Sequence, residues 1–135
     1  VRISTAAQSE LDRLGKRYRS LERSFGIFCS VLRQGQDPPG EVYSGLGLVR
    51  NENPAVIRKC RVPVAELGGK RSGLRVVYER SDQPADGAVT MHILAIYVHA
   101  DDVPESEVRR RILNRFAPTL RELHDQSEVH YDEAH

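Results

Sequence analysis

Five side chains in the middle of the chain have the types and spacing to handle a phosphodiester. Lys59 and Arg61 stand two residues apart in the run "AVIRKCRVPV" (55–64), and Arg75 opens "GLRVVYER" (73–80). Tyr97 and His99 close "AVTMHILAIYVH" (88–99) with the same spacing. Side chains alternate across a strand, so each pair shares one face. Lys59 and Arg61 lie opposite Cys60 and Val62, and Arg75 and Val77 lie opposite Leu74, Val76 and Tyr78. Tyr97 and His99 share a face with Ile93 and Ala95, opposite Leu94, Ile96 and Val98. If pairing turns these faces the same way, all five line one concave surface. Fixed cations of this kind bind a phosphate and stabilise the charge of a five-coordinate transition state. An imidazole that titrates near neutral pH serves as acid or base for attack by a ribose 2′-hydroxyl. Tyr97 would position a base by stacking or supply a hydroxyl.

The bland reading of the same residues is a solvated cationic strand face, with His99 an exposed strand-end histidine. Charge distribution alone does not decide between the two. From Arg50 to Arg80 eight cations face three carboxylates, a surplus of five, although the whole chain carries only +1. From Ala117 to His135 Arg121 faces five acids, a deficit of four. A basic middle invites an anionic partner, and an acidic tail invites a screening or docking role.

The segment "ELGGKRSGLRVVYE" (66–79) places Lys70 and Arg71 in a glycine-hinged turn before Arg75. It is not a nucleotide P-loop, because the glycine required five residues before Gly69 falls at Val64. Cys29, Cys60 and the five histidines show no metal-type spacing, and no metal or cofactor is implied. The cysteines read as small core hydrophobes.

The elements that must hold these residues follow from periodicity. A short strand over "VRIST" leads to a capping box in which Thr5 and Gln8 satisfy each other's amides. Ala7, Leu11, Leu14, Tyr18, Leu21, Phe25, Phe28 and Leu32 then recur at helical spacing. One helix over 6–33 would run about 42 Å at about 1.5 Å per residue. Gly15 and Ser20 offer a break, so two helices folded as a hairpin are expected, with Ser20 capping the second. "GQDPPGE" ends the helical region. Three strand-like runs follow, the last two joined by the hairpin loop "SDQPADG". Pro104 opens a helix through "ESEVRRRILNRF", with Val108, Ile112 and Phe116 on one stripe. A short helix over "TLRELHDQ" and a loosely held end complete the chain. The order strand, helix hairpin, three antiparallel strands, helix predicts an α+β domain, with the helices packed on one face of a small sheet. Residues 1–116 form that domain and 117–135 an acidic tail.

"KCRVPVAELGGKRSGLRVVYE" followed by "ILAIYVHADDVPESEV" resembles the RelE/HigB branch of bacterial toxin–antitoxin toxins, within the RelE/ParE superfamily. The family pattern is a K-x-R strand, a glycine–cation turn into an R-V-(I/V)-Y strand, and an I-Y-x-K/H strand before an acidic linker and helix. The opening "VRIST…AQSELDRLGKRYRSLERSF" is similar to the family's strand and helix hairpin. The resemblance covers roughly residues 1–116. It implies a compact α+β, metal-independent endoribonuclease (an mRNA interferase) that cleaves messenger RNA, often on the ribosome, and leaves a cyclic phosphate. It also implies neutralisation by a cognate antitoxin protein. Matched position by position, Lys59, Arg61, Arg75, Tyr97 and His99 are the implied catalytic set. Lys70 and Arg71 match the turn cations that steer RNA, and Arg58 is assigned to RNA binding with them. This sequence departs from the pattern in Leu74, in its long "SDQPADG" loop, and in its acidic tail. A binding module of the same fold without nuclease activity is the alternative, such as a gyrase-inhibiting toxin or a regulatory partner. A helical-hairpin dimer is a third, and it requires Tyr18, Phe25 and Phe28 to face a second chain. No apolar run approaches membrane-spanning length and no signal peptide opens the sequence, so a cytoplasmic location is the default expectation.

Overall fold

The computed structural model describes residues 1–43, 45–50, 53–67, 73–83, 88–116 and 129–130. Strand β1 (Arg2–Ile3) leads into helices α1 (Thr5–Arg17) and α2 (Leu21–Arg33). Short strands β2 (Gly40–Val42), β3 (Val49–Arg50) and β4 (Asn53–Pro54) come next. The long strands are β5 (Val56–Val62), β6 (Leu74–Gln83) and β7 (Ala88–Val98), followed by helix α3 (Glu105–Phe116) and strand β8 (Val129–His130). The main sheet runs β2-β5-β6-β7-β1-β8, and β3 pairs with β4 as a separate ribbon. Every neighbouring pair in the main sheet is antiparallel except β1 with β7.

The helix hairpin forms as its apolar stripe predicts, with the break at Tyr18–Ser20 and Gly15 inside α1. The cap of α1 falls one residue earlier than expected. Ser4, not Thr5, is the N-cap, and its hydroxyl accepts from the Ala7 amide at 3.2 Å. Ser20 is the N-cap residue of α2 but makes no side-chain cap. Instead its amide and hydroxyl both donate to the Glu66 carboxylate, drawing the start of α2 toward the end of β5.

Phe25 and Phe28 are buried against Cys60, Val76, Tyr78 and Ile96 beneath the hairpin. They are therefore spent within the chain and do not face a second copy, as the dimer reading required. Both cysteines are free and buried. Tyr78 is fully buried, and its hydroxyl donates to Asp37 at 3.2 Å.

The expectation that all helices share one face is wrong. α1 and α2 cover one face of the sheet, whereas Val108, Ile112 and Phe116 of α3 pack with Ile57, Val77, Leu94, Ala95 and Tyr97 on the other. β7 is covered on both sides, which is why it reads as a near-continuous apolar run. A β-bulge also overturns part of the expected alternation. Val77 pairs with Ala95 and Tyr78 with Ile93, leaving Leu94 as the extra residue. Ile93 therefore points to the hairpin side with Ile96 and Val98, and Leu94 joins Ala95 and Tyr97 on the α3 side.

β1 is only two residues long, so among the described residues β7 has no strand neighbour on that side beyond Ile93. Side chains take the strand's place there. The Ile96 amide donates to Glu10 of α1 at 3.1 Å, and Arg115 of α3 donates to the Leu94 carbonyl at 2.8 Å. Arg111 and Arg115 both reach the same Glu10 carboxylate, tying the two helical layers together around the sheet edge. No helix among the described residues is long and apolar enough to cross a membrane. The predicted helix over 119–126 and most of the acidic tail lie outside the described residues; Val129–His130 pairs with β1.

Candidate functional site

Register brings the cationic side chains together. Arg61 of β5 pairs with Arg75 of β6, and Arg75 pairs with Tyr97 of β7. Lys59 stands two residues before Arg61, opposite Val77, and so projects from the same face. Lys59, Arg61 and Arg75 line an open cleft of about 500 Å³, whose other walls include Pro39, Gly40, Glu41 and Cys60. Among the described residues that line it, three cations thus face one carboxylate. Two guanidinium groups directly opposite on neighbouring strands repel each other, a cost that a bound anion would relieve.

Backbone geometry shapes both ends of the cleft. A Cβ at Gly40 would lie 2.5 Å from the Lys59 carbonyl oxygen and 2.6 Å from Cys60 Sγ, so only glycine lets β2 close this wall. Gly73 holds φ at +139°, a conformation that L side chains rarely adopt, at the entry to β6. Its carbonyl accepts from Arg75 Nη1 at 3.4 Å and from the His99 amide at 3.5 Å.

Each cation has a distinct setting. Arg75 is half-buried, and burial first, then the neighbouring Arg61, lowers its pKa from the ordinary guanidinium value; Tyr97 partly offsets this. Arg75 remains a cation at any physiological pH. The Lys59 ammonium lies 3.6 Å from Glu41, 3.9 Å from Glu105 and 5.6 Å from the centre of the Tyr43 ring. The Tyr43 hydroxyl donates to Glu105, so the first turn of α3 and the end of β2 meet around Lys59. These three residues were not anticipated. Glu105 had a legible structural signal, an acid in the first turn of a helix, but nothing tied it to Lys59.

Tyr97 is in register with Arg75 but only 7% exposed, and neither it nor His99 is among the residues that line the cleft. Burial first, then the charge of Glu105, pushes its hydroxyl up to about 12, with Arg75 acting in the opposite direction. At neutral pH it is a hydrogen-bond donor and not a base. His99 lies one residue past the last β7 pair, where the chain leaves the strand for a 3-10 turn over His99–Asp101. It is exposed at the surface beside Gly73. Its turn is tied to α1 through Asp101, which pairs with Arg17 at 2.8 Å.

Arg58 does not join this group. Alternation turns it to the hairpin side of the sheet, where it donates to the Pro38 carbonyl at 3.1 Å. Lys70 and Arg71 fall in 68–72, outside the described residues.

The arrangement can hold a phosphodiester between Lys59, Arg61 and Arg75, with a neutral phenol on the strand next to Arg75 and an exposed imidazole past the end of that strand. Comparison with protein-family models, curated proteins and solved structures gave no match.

Proposed function

We propose that the chain is a metal-independent endoribonuclease toxin of RelE/HigB type that grips the RNA backbone in the Lys59–Arg61–Arg75 cleft. The observation that carries this reading is the cross-strand row Arg61–Arg75–Tyr97, with Lys59 on the same face. The order of strand, helix hairpin, three long strands and helix supports the RelE/ParE arrangement that the sequence pattern implies.

In this reading the three cations bind the scissile phosphate and stabilise its five-coordinate transition state, where added negative charge is best met by fixed donors. The 2′-hydroxyl attacks the adjacent phosphorus, and the P–O bond to the leaving 5′-oxygen breaks, giving a cyclic phosphate. His99 moves the proton, and the Tyr97 phenol donates a hydrogen bond. Lys70 and Arg71 steer the RNA. The substrate class is messenger RNA, met on the ribosome, and a cognate antitoxin neutralises the activity.

A second reading is favoured by a specific feature. Lys59 is partly neutralised by Glu41 and Glu105, and His99 has left the strand for a surface turn. Both fit a module of the same fold that binds without cutting, such as a gyrase-inhibiting toxin or a regulatory partner.

Purified protein incubated with messenger RNA, with and without ribosomes, separates the two. The nuclease reading expects fragments ending in cyclic phosphate and a loss of about a hundredfold or more in His99→Ala, the scale of one general acid–base group. No cleavage in either condition, with cell toxicity intact in Arg75→Ala and His99→Ala, leaves only the binding module.

A further inference from the structure

Helix α2 carries a second apolar stripe beside the one that it buries. Leu21, Phe25, Phe28, Cys29 and Leu32 face the core; the apolar Ile27 and Val31 stand beside them and, with Ser24 and the covered ring of Phe28, at i, i+3, i+4 and i+7, line a groove of about 210 Å³. Ile27 is 59% exposed, more than any other large apolar side chain of the helix hairpin. Pro38 and Pro63 form the facing wall. Rigid rings on one side and branched aliphatic groups on the other make a slot with little conformational entropy to lose on binding.

The groove is not isolated. Arg61 and Pro39 line both it and the cationic cleft, so an apolar slot and an anion site meet at one guanidinium. A nucleotide has the same two-part character, a phosphate joined to a flat base whose faces are apolar. A groove of about 210 Å³ has room for a single ring system beside the phosphate-binding guanidinium.

We infer that this groove is a nucleobase subsite, which takes one base of a single-stranded RNA whose phosphate is held at Arg61. The inference rests on the RNA-binding reading above and deepens it. Ser24 and Arg61 are the polar side chains among the described residues of the slot, so its selectivity comes from contact with the base face and not from reading its edges. Purines, with the larger face, bind better than pyrimidines at that position.

The test uses 2′-O-methyl oligoadenylate, which cannot undergo 2′-hydroxyl attack, and copies with one abasic nucleotide moved along the chain. Affinities are read by fluorescence anisotropy at fixed salt. Wild type should lose about fivefold at one abasic position, toward the lower end of what one base contact contributes. Ile27→Ser should bind the intact oligonucleotide about fivefold more weakly and be indifferent to that abasic position, with Ile27→Val close to wild type. Because Ile27 is exposed, neither change disturbs the core. Wild-type affinity in Ile27→Ser, with Arg75→Ala weakened, overturns the subsite while leaving the cleft in place; the groove would then be a face for a protein. An undiminished abasic effect in Ile27→Ser also overturns it. A wild-type chain that binds no oligonucleotide overturns both readings.

Discussion

Replacing Glu10 by alanine should loosen the whole α3 layer, although Glu10 is on α1. Its carboxylate, 12% exposed, accepts four hydrogen bonds: from the Ile96 amide at 3.1 Å, from Arg111 at 3.0 Å, and from Arg115 at 2.8 and 3.2 Å. The alanine variant leaves the Ile96 amide without its acceptor, and two mostly covered guanidinium groups without their shared counter-ion. Hydrogen bonds to charged groups contribute about 1.5–3 kcal/mol each when fully buried. Water still reaches both arginines, so roughly 1 kcal/mol per contact is the fairer figure, for a total of about 3–4 kcal/mol. That agrees with the cost of removing one partner of a buried ion pair, about 3–5 kcal/mol.

Urea unfolding reads this directly. With a slope of about 2 kcal/mol/M, typical of a small domain, the midpoint should fall by roughly 1.5–2 M without a change in slope. Glu10→Gln, which retains an acceptor for Ile96 but not the charge, should lose about half as much. Hydrogen exchange at the Ile96 amide should accelerate in the alanine variant before the core of β6 does. A midpoint within about 0.3 M of wild type would mean that the edge of β7 is closed by packing alone and that Glu10 holds neither helical layer in place.

Three further outcomes follow from the same geometry. Glu79 is 2% exposed and held by Arg50 at 3.0 Å through both carboxylate oxygens, so Arg50→Met should cost about 3 kcal/mol in urea unfolding. Adding Glu79→Leu should recover much of that loss, and an additive double variant would contradict the pairing. Gly40→Ala sets a methyl group against the Lys59 carbonyl and Cys60 Sγ; it should lose about 1–3 kcal/mol, and wild-type stability would show that β2 does not close the cleft as described. Tyr97 has a folded-state pKa above the ordinary value of 10, so its contribution to stability is complete below pH 10 and fades as pH rises toward about 12. Tyr97→Phe should remove a late step near pH 12 from the alkaline absorbance titration, and a step lost near pH 10 would contradict the burial argument.

Much of this architecture was legible because apolar periodicity records burial. The stripe from Ala7 to Leu32 gave the hairpin, and Val108, Ile112 and Phe116 gave α3. Which face α3 covers was harder to read, since its stripe says only that it is covered. The decisive sign lay in β7, where "MHILAIYV" is apolar at both parities and so marks a strand buried on both sides. The bulge at Leu94 left no trace, because Ile93, Leu94 and Ala95 are all apolar and either face suits each of them. Two-residue spacing put Lys59 beside Arg61, but their meeting with Arg75 needed the register of the β5–β6 pair. Glu41, Tyr43 and Glu105 reach Lys59 from β2 and α3, contacts across long sequence separations that no local pattern encodes.

If Lys59, Arg61 and Arg75 hold RNA phosphates, binding must weaken with added salt in proportion to the contacts that they make. Each neutralised phosphate on a single strand contributes about 0.7 to the slope of log affinity against log salt. Wild type should show a slope near −2 or steeper, and Arg61→Ala and Arg75→Ala should each flatten it by roughly 0.7 while weakening binding. A slope near zero, or one unchanged by either substitution, would mean that these three cations do not hold the RNA backbone.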